Sequence, residues 1–182
     1  MVVALFGVVG VGKTTIGKII SEKLNYEFYD LDDEIKLFYN DTITNIYSDC
    51  ICRHAIDSKK ALVLSNVLTK CSSDTIIAMS PIYYSRMYKL MFAHNDVLPI
   101  VLHDSPENIA ARMIYTDDND MPIENPEPNR KQEIKDVKYF ISQYKKAFLK
   151  IQCHYFINGK SADCAADEII CQFFNQNILT NH

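Results

Sequence analysis

Gly7-Val-Val-Gly10-Val-Gly12-Lys13-Thr14 fills the pattern G-x-x-x-x-G-K-[ST] completely, and it stands between two contrasting stretches. Before it, Met1-Val-Val-Ala-Leu-Phe6 is a short β-branched and apolar run, the signature of a strand buried on both faces. After it, Thr14 to Leu24 repeats Ile16, Ile19, Ile20 and Leu24 at helical spacing, with Lys18, Glu22 and Lys23 on the other side. A phosphate-binding loop needs this strand–loop–helix setting. Its glycines let backbone N–H groups curl round a β-phosphate, its lysine bridges the β- and γ-phosphates, and its threonine hydroxyl ligates Mg²⁺. The helix that follows points its positive end at the anion. With glycine near 7% of residues, a chance match in one chain is on the order of one in a hundred. The loop from Gly7 to Thr15 therefore predicts a nucleotide site, with Gly7, Gly10, Gly12, Lys13, Thr14 and Thr15 as its residues and ATP with Mg²⁺ as its ligands.

Further strands read from Tyr26 to Leu31, Asp74 to Met79 and His154 to Ile157. Another lies within Asp96 to Leu102, where Pro99 predicts a start near Ile100. Helices read from Asp33 to Tyr39, Ala55 to Leu68 and Glu133 to Ile151. Ser105-Pro106 opens one as N-cap and N1, and Ser161 caps a last one running to about Phe174. Residues 116–130, rich in Asp, Asn, Pro and Glu without apolar period, read as a loop or lid. Strands alternating with helices predict an α/β fold with a mostly parallel sheet. With no repeat and no long linker, residues 1–182 form one expected domain.

The 182 residues are 48% hydrophobic and carry a formal net charge of -4, which argues against binding nucleic acid through phosphate neutralisation. No apolar run approaches the roughly 18 residues of a membrane span, and the first residues lack the basic start of a signal peptide. The six cysteines offer no C-x-x-C pair, and Cys50-Ile51-Cys52 alone is weak evidence for a metal. They predict free thiols in a reducing cytoplasm. A monomer or weak dimer acting on a small molecule is the expectation.

Asp30-Leu31-Asp32-Asp33 follows the second strand. Residues i and i+2 of a strand share a face, so Asp30 and Asp32 are expected to point together from its carboxyl end, where ligands sit in parallel sheets. A carboxylate there holds Mg²⁺ through water or accepts a proton from an attacking hydroxyl. Asp33 reads as a helix cap.

Here the chain resembles the shikimate kinase family. The shared residues are the phosphate loop, Phe28-Tyr29-Asp30-Leu31-Asp32-Asp33-Glu34-Ile35, and Ile43-Thr44-Asn45-Ile46-Tyr47, with weaker agreement through Leu102-His103-Asp104-Ser105-Pro106-Glu107 to the closing strand and helix. Gluconate kinases share the loop and the D-x-D but follow them with a His-Pro segment, absent from this sequence. The resemblance implies a three-layer P-loop kinase fold, with a five-stranded parallel sheet flanked by helices. It also implies transfer of the ATP γ-phosphate to a hydroxyl of shikimate. It gives Lys13 and Asp32 catalytic roles, Asp32 and Arg53 to the acceptor, and Thr14 and Asp30 to the metal. Arg112 falls near the arginine that packs on adenine, the alternative being an i,i+4 surface pair. The loop before Arg53 is shortened relative to the family.

The same resemblance shows three departures. Met79-Ser80-Pro81 stands for a glycine triplet, Met121-Pro122 for the lid arginine and its proline, and Phe140 for the second carboxylate-binding arginine. Arg130, Lys131 and Lys138 are the nearby cations that could substitute. The nucleotide half is complete and the acceptor half depleted. This leaves open a kinase for another hydroxylated metabolite, or a degenerate kinase that binds nucleotide in a regulatory role.

Overall fold

The computed structural model describes residues 1–71, 74–117, 119, 121–123 and 129–174. The chain runs β1 (Val2–Phe6), α1 (Lys13–Leu24), β2 (Glu27–Asp30), α2 (Leu31–Tyr39), α3 (Ile43–Ser48), α4 (Arg53–Lys70), β3 (Thr75–Ala78), α5 (Arg86–His94), β4 (Val97–His103), α6 (Pro106–Arg112), β5 (Tyr115–Thr116), β6 (Pro122–Ile123), α7 (Arg130–Phe148), β7 (Cys153–Phe156) and α8 (Ala162–Ile169). A π-helical turn, Ile170–Phe174, follows α8. Five strands form one parallel sheet, the number and direction that the family resemblance implied, in the order β2-β3-β1-β4-β7.

β1 lies at the centre, and its residues explain the three layers. Leu5 and Phe6 are consecutive, so they point to opposite faces. Leu5 lies beneath α1, where a Cβ on Gly17 would come 3.3 Å from its Cδ1. Phe6 packs edge-on against Tyr84, Phe92 of α5 and Phe148 of α7. Both faces are covered, which is why β1 needs no polar alternation. Phe6 is 1% exposed, and truncating it to alanine would cost about 3–5 kcal/mol.

Several elements differ from the sequence reading, each for a local reason. β4 begins at Val97 rather than near Ile100. Pro99 sits in register with Ala4 on one side, while β7 joins on the other side only from Ile100 onward, so its missing N–H falls where the strand is still an edge. α5 carries its buried pair, Tyr88 and Phe92, four residues apart, a helical signal in a segment to which the sequence reading gave no element. α3 is capped by the Thr42 hydroxyl and held at its far end by Lys59, whose Nζ donates to Ile46 O at 2.7 Å. Tyr115–Thr116, at the start of the expected lid, pairs antiparallel with Pro122–Ile123 inside it. Residues 118, 120 and 124–128 of that lid lie outside the described residues.

Candidate active site

All five strand ends open on one edge of the sheet, and the sequence places its chemistry there. The phosphate loop leaves β1 through Gly7, whose φ is +148°; a Cβ there would meet Val11 Cγ1 at 2.7 Å and Leu102 O at 3.0 Å. It enters α1 through Gly12, with φ +109° at the N-cap position. Only glycine takes both conformations without strain. Lys13 Nζ donates to Gly7 O at 3.1 Å and to Val8 O at 3.0 Å, so the lysine closes its own loop. Burial lowers its pKa to about 8, against the attraction of Asp32 and Asp30. The residue as a whole is only partly buried, and its ammonium is turned inward onto the loop carbonyls. Gly10 forms the turn between them, and Thr15 is exposed on the first turn of α1.

Thr14 Oγ1 donates to Asp30 Oδ2 at 2.6 Å, while Asp30 Oδ1 accepts from the Asp32 N–H at 3.0 Å. Burial pushes the Asp30 carboxyl up, although both hydrogen bonds pull it down. This corrects two expectations. β2 ends at Asp30, and Asp32 lies in the first turn of α2, so the two share no strand face. The helix cap is Asp30 rather than Asp33, which instead pairs with Lys36 at 2.7 Å. The hydroxyl and carboxylate in contact are hard oxygen donors. They suit Mg²⁺, which binds through one or two carboxylates plus waters and substrate phosphates. Among the described residues no cluster of three or more His, Cys, Asp or Glu side chains forms a cage of its own.

Arg112 belongs to this half. Its Nη2 donates to Asp104 Oδ2 at 2.7 Å and reaches Val11 O at 3.5 Å, so its partner lies eight residues back rather than four. The Asp104 side chain is buried, while its backbone keeps the residue partly exposed. Burial alone would raise its pKa, but donors on Asn108, Arg112 and Ser105 lower it. The salt bridge thus ties the end of α6 back to the end of β4, and the longer contact with Val11 O reaches the phosphate loop.

Beyond Asp32 lies a cavity of about 210 Å³, walled by Tyr47, Arg53, Lys60, Pro81, Tyr83 and Phe140, among others. Arg53, the first residue of α4, donates to the Tyr83 hydroxyl and to Gln143 Oε1 at 3.0 Å, and lies 5.5 Å from the Tyr83 ring centre. Phe140 is at the wall, as the departure from the family pattern implied. Arg130 donates to Ala110 O at 3.0 Å and Lys138 faces Glu107 at 3.7 Å; neither lines the cavity.

Sequence reasoning missed Lys60. It is 7% exposed, donates to Pro81 O at 2.8 Å and sits 5.2 Å from the Tyr47 ring centre. Burial lowers its pKa, opposed by Asp32 and Asp57. A signal was present: Lys60 stands four residues from both Ile56 and Leu64, on the stripe that α4 buries. Tyr47 was singled out by pattern, but not for its hydroxyl, which is buried without a partner among the described residues. Such a group costs about 1–3 kcal/mol. A larger cavity, about 740 Å³, lies on the other side of the loop and is lined by Val8, Val11 and Phe148; Lys13, Asp30 and Asp32 do not reach it.

The family model for shikimate kinase matches residues 9–172. The chain belongs to the shikimate kinase family. A 44-residue stretch is 54% identical to the shikimate kinase of Azobacteroides pseudotrichonymphae, covering 24% of this chain and 26% of that one. The chain thus spans about a quarter of that relative's length. Against the shikimate kinase of Caldicellulosiruptor saccharolyticus the identity is 29% over 126 residues, covering 66% and 67%. The shikimate kinase of Acinetobacter baumannii, solved in complex with shikimate, aligns with a TM-score of 0.71 at 22% identity, over 98% of this chain and 95% of that one. The last likeness speaks for the fold. As a shikimate kinase family member the chain has the P-loop kinase architecture.

Proposed function

We propose that this protein transfers the γ-phosphoryl group of ATP to a hydroxyl of a small metabolite, with Mg²⁺, in the cytoplasm as one domain. The observation that carries this is the contact of Thr14 with Asp30 beside Lys13, all within reach of Asp32. The loop N–H groups and Lys13 hold the phosphates. Thr14 and Asp30 would hold Mg²⁺, which neutralises charge on the β- and γ-oxygens when bound. Asp32 accepts the proton of the acceptor hydroxyl as its oxygen bonds to the γ-phosphorus. The bond from that phosphorus to the bridging oxygen breaks, and ADP leaves. Arg112 steadies the loop at Val11 and lies near where the adenine would pack. Arg53 faces the acceptor.

Shikimate is the family's acceptor, and Phe140 argues that this chain binds it weakly. The experiment is a screen of shikimate, related cyclic acids, sugar acids and nucleosides for stimulation of ADP release from Mg–ATP. Stimulation by any of them supports the reading. Nucleotide binding with no stimulation supports a nucleotide-binding regulatory protein instead.

A further inference from the structure

Two polar groups of the acceptor cavity have no part in the transfer described above. One is the Tyr47 hydroxyl, buried and without a partner among the described residues. A buried donor left unpaired in a folded protein calls for an explanation, and a ligand oxygen is one. The other is the Lys60 ammonium, which has three N–H groups and gives one to Pro81 O. The charged groups round it are Asp32 at the start of α2, Asp57 one turn back on α4, and Lys13 of the phosphate loop. Asp32 and Asp57 attract it through charge, with no hydrogen bond to either. The space between the ammonium and the Asp32 carboxylate is therefore wider than a hydrogen bond. Lys60 also stands over the Tyr47 ring, so the two polar groups occupy one corner of the cavity.

We propose that Lys60 and Tyr47 determine acceptor specificity by binding a second oxygen of the acceptor, adjacent to the hydroxyl held at Asp32. The inference rests on reading this cavity as the acceptor site. A lone hydroxyl can satisfy Asp32 only. A neighbouring hydroxyl or carboxylate oxygen accepts from the Lys60 ammonium and the Tyr47 hydroxyl together, so the pocket selects vicinal diols and α-hydroxy acids over isolated alcohols. The family pattern supplies cations from Arg53 and from the place Phe140 now fills. Here the second cation comes from the middle of α4.

The test uses shikimate and deoxy analogues that each lack one ring hydroxyl, titrated by NMR into the Mg–ADP complex of the full chain. The wild type should bind shikimate at least tenfold more tightly than the analogue lacking the neighbouring oxygen. Lys60→Met and Tyr47→Phe should each shrink that gap severalfold, and Lys60→Arg should restore part of it. Tyr47→Phe should also leave the melting temperature of the ligand-free chain unchanged or higher, since it removes an unpaired hydroxyl. A purely structural Tyr47 would lower melting and leave discrimination intact, which overturns the proposal. So does an undiminished gap in both variants, or a wild type that binds all the compounds equally or not at all. ADP affinity, measured in the same samples, separates the failures. A wild type that does not bind ADP sinks the kinase reading, whereas lost discrimination with ADP bound sinks only the roles of Lys60 and Tyr47.

Discussion

Round Lys13, the groups that touch one another are those the proposed transfer calls on: Thr14 on Asp30, Lys13 on its own loop, Arg112 on Asp104. Round Arg53 they are not. Its guanidinium is spent on Tyr83 and Gln143, an apolar ring stands at Phe140, and the nearest buried ammonium comes from an unannounced position on α4. The two halves differ in what builds them. The proposed phosphate site is a backbone loop whose path three glycines permit, so few side chains can alter it. The proposed acceptor cavity is walled by side chains from α3, α4, α7 and the segment after β3, and each can change while the fold stays.

The comparison breaks most sharply at Asp32. With an acceptor that stimulates ADP release, Asp32→Asn should remove the increment, a loss of roughly 10²–10⁴-fold, because an amide cannot take the hydroxyl proton. An unimpaired variant would mean that the acceptor half does no chemistry at this carboxylate. Lys13→Ala comes next. Losing a charge-assisted contact of about 1.5–3 kcal/mol should weaken Mg–ADP binding by roughly 10- to 150-fold. Calorimetry giving equal affinities would take the phosphate site away from this loop.

The same contrast explains what could be read from the sequence. The phosphate loop was legible because its chemistry fixes residue type and spacing together. The parallel sheet followed, since Met1 to Phe6 and Asp74 to Met79 have no polar face. Asp30 and Asp32 were expected on one strand face and are not: the strand stops where the Asp30 carboxylate accepts from the Asp32 N–H, and a two-residue period cannot foresee that cap. Lys60 was passed over, although its spacing from Ile56 and Leu64 marks a buried stripe. The partners of Arg53 and Arg112 come from distant segments, and no local pattern carries them.

Phe140→Arg sharpens the comparison by reversing it. The ring is 39% exposed at the cavity wall one turn before Tyr144, so a longer polar side chain can enter without cutting into the core. Shikimate should bind the wild type–ADP complex in about the millimolar range, and the variant roughly tenfold more tightly, by one added guanidinium–carboxylate contact. Micromolar binding by the wild type would show that Phe140 is no handicap. No gain in the variant would show that the acceptor's anion lies elsewhere, toward Lys60.

The smallest effect expected is a pH dependence of nucleotide binding. Burial holds Lys13 at about 8 in the ligand-free chain, below its ordinary 10.5. A phosphate beside the ammonium raises it again, so binding above this value must take up a proton. For folding the sign is the opposite. The folded pKa lies below the unfolded one, so the unfolded chain binds more protons between about 8 and 10.5, and this group adds stability as the pH rises through that window. For a single group with its midpoint at 8, affinity for Mg–ADP should fall about threefold between pH 7 and 8.3. Calorimetry in two buffers of different ionisation heat should show uptake of about two-thirds of a proton at the higher pH and little at the lower. Lys13→Ala should abolish the uptake. Affinity that stays flat while the wild type takes up no proton would mean that the ammonium is hydrated in the free protein, and that the phosphate half is less preorganised than its contacts with Gly7 and Val8 imply.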